Sequence, residues 1–306
     1  MWNRDLKLKL WLISVTGCAA FILLLKHGMR FDYFSAATAI GTVGLLLPFA
    51  VVFDGRKISA FANLLTGFLC MVVFNLFLAV LTYAGTPLNA PLADPWLMAC
   101  DGAVGVHLPS IVAVMAEHPG LRNALSLAYF SVFPSTLLAL VVLGLDSDVR
   151  RLREFVLHFI LGGLITTLAF LFLPAAGPFH AYGYAPRPDQ QRFLEHFFAL
   201  RAGEFPLVSV NRLEGLITFP SFHTTWAILV AYSFRHYRWV FAPMIVLNAA
   251  VVISTMTTGW HYGADVLGGI ATATVSILIS RRLAPWLQAG KEESLASLFG
   301  REVVAN

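Results

Sequence analysis

Residues 219–265 read FPSFHTTWAILVAYSFRHYRWVFAPMIVLNAAVVISTMTTGWHYGAD, and this stretch decides the fold. The polar cluster Phe219-Pro220-Ser221-Phe222-His223 stands before an apolar block, which breaks at Arg235 and Arg238. A second apolar block runs to Gly259, and the cluster His261-Tyr262-Gly263-Ala264-Asp265 opens a third. A bilayer core about 30 Å thick takes about 20 apolar residues per helix, with a range of about 17 to 25. The 38 positions from His223 to His261 therefore hold one crossing and one return, so both histidines come back to one membrane face.

The rest of the chain carries the same pattern. Of 306 residues, 58% are hydrophobic and only 12% charged, with a mean hydropathy of +0.74, against about 25% charged in a soluble domain. The expected fold is an all-α, polytopic membrane helix bundle of about eight transmembrane helices. They are expected near 10–26, 33–53, 59–83, 122–145, 154–173, 222–237, 240–259 and 262–283. No Ser/Gly/Pro-rich linker separates the blocks, which argues for one bundle. It divides into two N-terminal helices at 1–58, a membrane core of six helices at 59–283 and a cytoplasmic tail at 284–306. The first span follows Arg4, Lys7 and Lys9 as a signal peptide would, but Leu23, Leu24, Leu25 and Lys26 stand where small cleavage-site residues belong; it reads as a retained helix.

The net charge of +4 comes from lysines and arginines scattered in short loops, so nothing supports nucleic-acid binding. Cys18, Cys70 and Cys100 lie far apart, forming neither a disulfide framework nor a metal knuckle, and read as packing residues. Basic residues mark the cytoplasmic side. With the N-terminus inside, that side collects Arg4, Lys7, Lys9, Arg56, Lys57, Arg150, Arg151, Arg153, Arg235, Arg238, Arg281, Arg282, Lys291 and Arg301, 14 of 21. Both termini are then cytoplasmic, and the loops after spans three, five and seven face outward.

Two outer segments need their own reading. Asp94-Pro95 gives an N-cap and a first-turn proline, opening a short interfacial segment that ends near Met115. Pro174, Gly177, Pro178, Pro186 and Pro188 force a loop, after which Phe193, Leu194, Phe197 and Phe198 mark one face of a short helix. That helix is expected to lie on the membrane surface.

His261 and Asp265 are four apart, stacked on one side of a helix, where the carboxylate holds the imidazole's tautomer and raises its basicity. Pro220, Ser221, Phe222 and His223 sit where a helix begins, with free backbone N–H groups suited to an anion. A phosphoester there would be attacked in line by one histidine while the other protonates the leaving oxygen. No metal or other cofactor is required. Three ionisable residues converging at membrane depth favour a functional site over satisfied polar packing. His158, Asn75 and Asn248 are read as partners for neighbouring helices, and Gly268 and Gly269 as allowing close packing near the site. Asp94 and Asp101 lack a partner at metal-ligand spacing. A transporter or scaffold would instead repeat polar residues along several spans, and spans one to five are nearly bare of charge.

At these residues the chain resembles the type 2 phosphatidic acid phosphatase superfamily over roughly residues 90–283. Pro220, Ser221 and His223 match its second motif, Pro-Ser-Gly-His, with Phe222 in place of glycine. Ser254, His261 and Asp265 match the third, Ser-Arg-x5-His-x3-Asp, with Thr255 in place of arginine. The first, Lys-x6-Arg-Pro, is represented by His180 and Arg187-Pro188. The resemblance implies a six-helix phosphatase-type core, His261 as phosphate-accepting nucleophile, Asp265 as its orienter and His223 as general acid. Ser221, Phe222 and His180 join the phosphate-binding set. Because an arginine normally grips a non-bridging oxygen, Arg187, Arg201 and Arg212 compete to replace the one lost at Thr255. The pattern Phe-Pro-Ser-x-His with Gly259, His261, Tyr262 and Asp265 resembles the inositol phosphorylceramide synthase-like branch.

The function implied is metal-independent cleavage of a lipid phosphoester through a phosphohistidine, as phosphatase or as transferase of a phospho-head group such as phosphoinositol. Membrane lipids are the expected substrates, in a bacterial inner membrane with the site on the periplasmic face. Residue types fix neither the lipid nor the oligomeric state, nor a role for the first two spans.

Overall fold

The computed structural model of the protein describes residues 4–205 and 207–289. Lys291 and Arg301, with most of the expected tail, lie outside the described residues. Two helices, α1 (Arg4–Lys26) and α2 (Ala37–Gly55), precede the long α3 (Ser59–Gly85). Then come α4 (Asp94–Ala103), α5 (Leu108–Glu117), α6 (Pro119–Phe130), α7 (Val132–Leu145) and α8 (Val149–Phe172). Short α9 (Pro178–Ala181) and α10 (Pro188–Arg201) lead to α11 (Phe222–Ser233), α12 (Arg238–Thr257) and α13 (Gly263–Gln288).

Seven helical segments among the described residues are long and apolar enough to cross a membrane, α6 and α7 counting as one. These match seven of the expected spans. The expected span at 222–237 is different: α11 has 12 residues, about 18 Å at 1.5 Å per residue, against a core of about 30 Å. It survives because it is wrapped by protein. Trp226, Ala227, Leu229 and Val230 are buried, and α7, α8, α12 and α13 all pack on it. α4 and α5 form a pair bent by 79°.

Polar groups sort to the two ends of the bundle. One end joins the starts of α1 and α8 to the ends of α11 and α13: Arg4 donates to the Trp286 carbonyl, Arg151 pairs with Asp146, Arg235 with Glu154, and Arg281 donates to the Tyr232 hydroxyl. The opposite end gathers α4, α9, α10 and the connections before α11 and α13, and both histidines lie there. At that end a two-residue ladder ties the chain's start to its middle. Strand β1 (Arg30–Phe31) runs parallel to β2 (Leu207–Val208).

The expectation of a surface-lying helix at Phe193 is corrected. Phe193 and Phe197 are fully buried against Phe179, Trp260 and Leu216, so the apolar face of α10 is spent on the bundle. Each such burial is worth roughly 1.5–3 kcal/mol, enough to hold a 14-residue helix over the histidine end.

Candidate functional site

The loop carrying His261 is held from every side. After α12 the chain turns at Gly259, whose φ of +77° suits glycine; a side chain there would also meet the Tyr184 hydroxyl at 3.1 Å. Tyr184 donates to the Gly259 carbonyl at 3.1 Å, Gln190 Nε2 to the Thr258 carbonyl at 3.3 Å, and the His261 amide to the Thr255 carbonyl at 3.2 Å. The start of α13 is gripped by carboxylates, as a helix N-terminus favours. Asp101 accepts from the Gly263 and Ala264 amides at 2.9 and 2.8 Å, and Asp265 Oδ2 from the Tyr262 amide at 2.9 Å. Asp94 accepts from the Tyr262 hydroxyl at 2.9 Å and from the Ala176 and Gly177 amides at 2.8 and 2.9 Å. Asp94 was expected as an N-cap, but it is the first residue of α4, and its carboxylate reaches across to these other segments.

This cradle fixes the His261 ring. Nδ1 lies 2.9 Å from the Thr218 carbonyl and 3.1 Å from Asp265 Oδ2. Both are acceptors, so Nδ1 carries the proton and Nε2 presents its lone pair. His261 is only 3% exposed.

The start of α11 is tied to the same point. The Ser221 amide donates to the Asp265 carbonyl at 3.0 Å, while Ser221 Oγ caps the helix by accepting from the Thr224 amide at 3.2 Å. Contact this close requires glycine opposite: a Cβ on Gly269 would stand 2.6 Å from the Ser221 carbonyl oxygen, and one on Gly268 3.0 Å from Phe219 and Pro220. The packing role expected of these two glycines is what the helices require. His223 then stacks on Tyr129, with centroids 4.1 Å apart and an interplanar angle of 22°. Its Nδ1 is 3.1 Å from the Tyr129 hydroxyl, its Nε2 is buried with no hydrogen-bond partner, and the two histidines lie within Coulombic reach of each other.

The other sequence-nominated residues divide. Ser221 is fully buried and spends its hydroxyl on the cap. Phe222 turns its ring into the core against Phe159 and Trp226, leaving its backbone N–H, which as a first-turn amide has no intrahelical acceptor. Thr255, in the place of an arginine, is buried and closes on its own helix through the Val252 carbonyl at 2.7 Å. Arg187 is half-buried, with its guanidinium 6.0 Å from the Trp260 ring, next to His261, and within Coulombic reach of Tyr129. It is paired with Asp189 at 2.8 Å.

Arg201 lies over the Phe197 ring at 5.6 Å and feels the charge of Asp94. Its Nη1 is buried with no hydrogen-bond partner, and burial lowers its pKa. Arg212 is not brought to the histidines; it is exposed on a separate polar cavity with Asp32, His196 and Glu204. His180 is exposed and packs on Phe198 at 5.0 Å. His158, read as a helix partner, is buried with Nε2 3.8 Å from Glu154. Asn248 bonds to the Met244 carbonyl of its own helix, and Asn75 is exposed.

Sequence reasoning passed over Tyr129, Tyr184 and Gln190, and gave Asp101 no role. For Asp94 and Asp101 a signal existed: two carboxylates seven apart in an apolar outer segment without a basic neighbour need buried donors. For Tyr129, 94 positions from His223, there was none. Among the described residues no group of three His, Cys, Asp or Glu side chains is arranged to hold a metal ion; Asp94 and Asp101 are committed to amides, and Asp265 shares Oδ2 between His261 and the Tyr262 amide while Oδ1 is buried without a partner.

A sequence model described as the PAP2 superfamily matches residues 95–279, a segment that contains both histidines, Asp265, Tyr129 and the three nominated arginines. No curated protein and no solved structure matches the chain.

Proposed function

Because the chain belongs to the PAP2 superfamily, whose members are typically phosphatases or phosphotransferases, we propose that it cleaves a lipid phosphoester at the His223–His261 pair. The observation that carries this reading is the clamp on His261. With Nδ1 engaged by Thr218 and Asp265, Nε2 is left as a positioned nucleophile.

Nε2 of His261 attacks phosphorus and forms the N–P bond as the P–O bond to the leaving group breaks, and Nε2 of His223 gives that oxygen its proton. Asp265 balances the charge that His261 acquires. A water, or the hydroxyl of a second lipid, then gives its proton to His223 and attacks phosphorus. The N–P bond breaks, and both histidines return to their starting states. Arg187 is the best-supported phosphate grip: exchanging Asp189 for a phosphate keeps its geometry bidentate. The free amides of Phe222 and His223 assist. Arg201, with its open Nη1, is the second candidate; Arg212 and His180 are less favoured.

The loss of the third-motif arginine at Thr255 and the ordered outer segment around α10 lean toward the transferase alternative, with an inositol phosphorylceramide synthase-like head-group exchange as its sharpest form. The basic end of the bundle, with Arg150, Arg151 and Arg153 at the start of α8, supports a cytoplasmic location for that end and an extracytoplasmic one for the histidines, in a bacterial inner membrane.

The test is to incubate purified protein with a phospholipid labelled in its phosphate, quench in base and map the label. Acid-labile phosphate on His261, absent from His261→Ala, is the expected result. A His261→Ala variant that folds and retains full turnover on every lipid phosphate tested would overturn the assignment. Adding candidate alcohols separates the two reactions, since release of inorganic phosphate alone sinks the transferase form. A transporter would continue uptake in a variant unable to cleave phosphoesters.

A further inference from the structure

The family match begins at residue 95, so α1, α2 and α3 lie outside it. α1 and α2 each pack along α3. Only Ala50 is buried along α2, and the two N-terminal helices part over α3 to leave a cleft of about 380 Å3. Its walls are carbon: Ala20 of α1, Ala39 and Val43 of α2 and the ring of Phe77 on α3. Gly17 makes room for that ring, since a Cβ there would stand 2.9 Å from it.

The cleft closes at the histidine end with Phe31 and Tyr33. The segment they belong to is pinned to the site's own loop. Arg30 and Phe31 pair with Leu207 and Val208, Asp32 accepts from Ser209 at 3.1 Å, and Ser35 accepts from the Val210 amide at 2.8 Å. From there the chain runs to Thr218, which holds His261. Above the same ladder lies a polar cavity of about 440 Å3 lined by Arg212, His196, Glu204 and Asp32.

We propose that this cleft binds a hydrocarbon tail of a membrane lipid, whose polar head lies in the cavity beside Arg212. A cleft without polar partners does not hold ordered water. A partner helix is a poor fit: the α3 residues lining the cleft run from Val72 to Val80, about 12 Å of helix, whereas a spanning helix needs a groove along about 30 Å. A tail end needs only the shorter length, and Phe31 and Tyr33 on the slot alternate with Asp32 on the polar cavity, so apolar and polar spaces flank one short segment, as the tail and head of an amphiphile require. The inference rests on the proposed lipid chemistry only for why a lipid would be kept at this end; the binding stands or falls separately.

The experiment uses full-length protein in phosphatidylcholine nanodiscs doped with a phosphatidylcholine bearing a diazirine near one tail terminus. After illumination, label is expected on residues 17–24, 36–43 and 72–80 at least threefold above the lipid-facing sides of α7 and α12. It should fall at least threefold in Ala39→Trp/Val43→Trp, whose thermal unfolding must match wild type. Arg212→Gln should lower the labelling too, as the head loses its cation. Label spread evenly over all exposed apolar faces, or unchanged in the filled variant, overturns the proposal; so does a dimer cross-linked through the cleft that excess lipid fails to displace. The same labelling is run on His261→Ala. Retained label with lost turnover shows the site is independent of the chemistry, and retained turnover with retained label overturns the catalytic reading alone.

Discussion

At the basic end of the bundle carboxylates are met by cations. Asp146 pairs with Arg151, Asp148 with Arg150, Glu154 with Arg235, and Asp5 with Lys9. At the histidine end Asp94, Asp101 and Asp265 are met by backbone amides, from Ala176, Gly177, Tyr262, Gly263 and Ala264. A guanidinium in a partly exposed pair, such as Arg150 with Asp148, can swing or be replaced by a counterion, and such pairs fix little; of these four pairs only Asp5–Lys9 is buried. An amide cannot swing. Carboxylates spent on amides convert their charge into backbone position, and because among the described residues none of the three forms an ion pair with a lysine or arginine they also leave a negative environment beneath His261. The basic end is held mainly by ion pairs, and the histidine end by amides that hold atoms in place.

The sharpest way to break this contrast is at Asp265. Asp265→Asn removes the negative partner of His261 Nδ1 while keeping its size, so Thr218 alone would hold the tautomer. Turnover is expected to fall about 10^3-fold, short of the about 10^4-fold found where a carboxylate alone orients a catalytic histidine because Thr218 still accepts from Nδ1, with thermal unfolding little changed. A loss below about tenfold, measured with a soluble phosphate monoester, would mean that Asp265 merely packs.

The next effect is on stability. Asp101 is fully buried on two amides, so Asp101→Asn should cost about 2–3 kcal/mol, the toll of weakening a buried charge-assisted pair of bonds. At the other end Asp148 is partly exposed, and Asp148→Asn should cost under about 1 kcal/mol. Denaturation of both variants in the same detergent gives the comparison directly; equal losses would erase the difference between the ends.

How much of this was legible depended on the range of each interaction. The apolar blocks and the His261–Asp265 pair are local patterns, readable because a helix brings residues four apart onto one side. The amphipathic stripe at Phe193 and Phe197 was equally visible, but a stripe does not say what covers it, and Trp260 and Phe179 took the place assigned to lipid. The short α11 was mistaken in length because a helix wrapped by protein need not match the bilayer. Asp101 holds α13 from 162 positions away, a relation that no window along the chain contains. The family resemblance named the motif residues but was silent on Tyr129, Asp94 and Asp101, which orient them.

The smallest effect tests an exception to the contrast; Glu214, paired with Arg192 at 2.9 Å, is another. Asp189 lies at the histidine end yet is held by an arginine. Burial alone would raise its pKa, but the hydrogen bonds from Arg187 outweigh that and hold the carboxyl below its ordinary value. A depressed carboxylate stabilises the fold above its unfolded pKa and loses that contribution as pH falls through the folded value. The pair is more than a third exposed, so its share is a few tenths of a kcal/mol. The difference in unfolding midpoint between wild type and Asp189→Asn should be small and constant above about pH 5, and should close as pH drops below about 4. A weak pair is what the proposed clamp needs, because on that reading an incoming phosphate displaces Asp189 from Arg187. A difference above about 2 kcal/mol at neutral pH would exceed what exposed pairs supply, marking Arg187 as fixed in place and moving the clamp to Arg201.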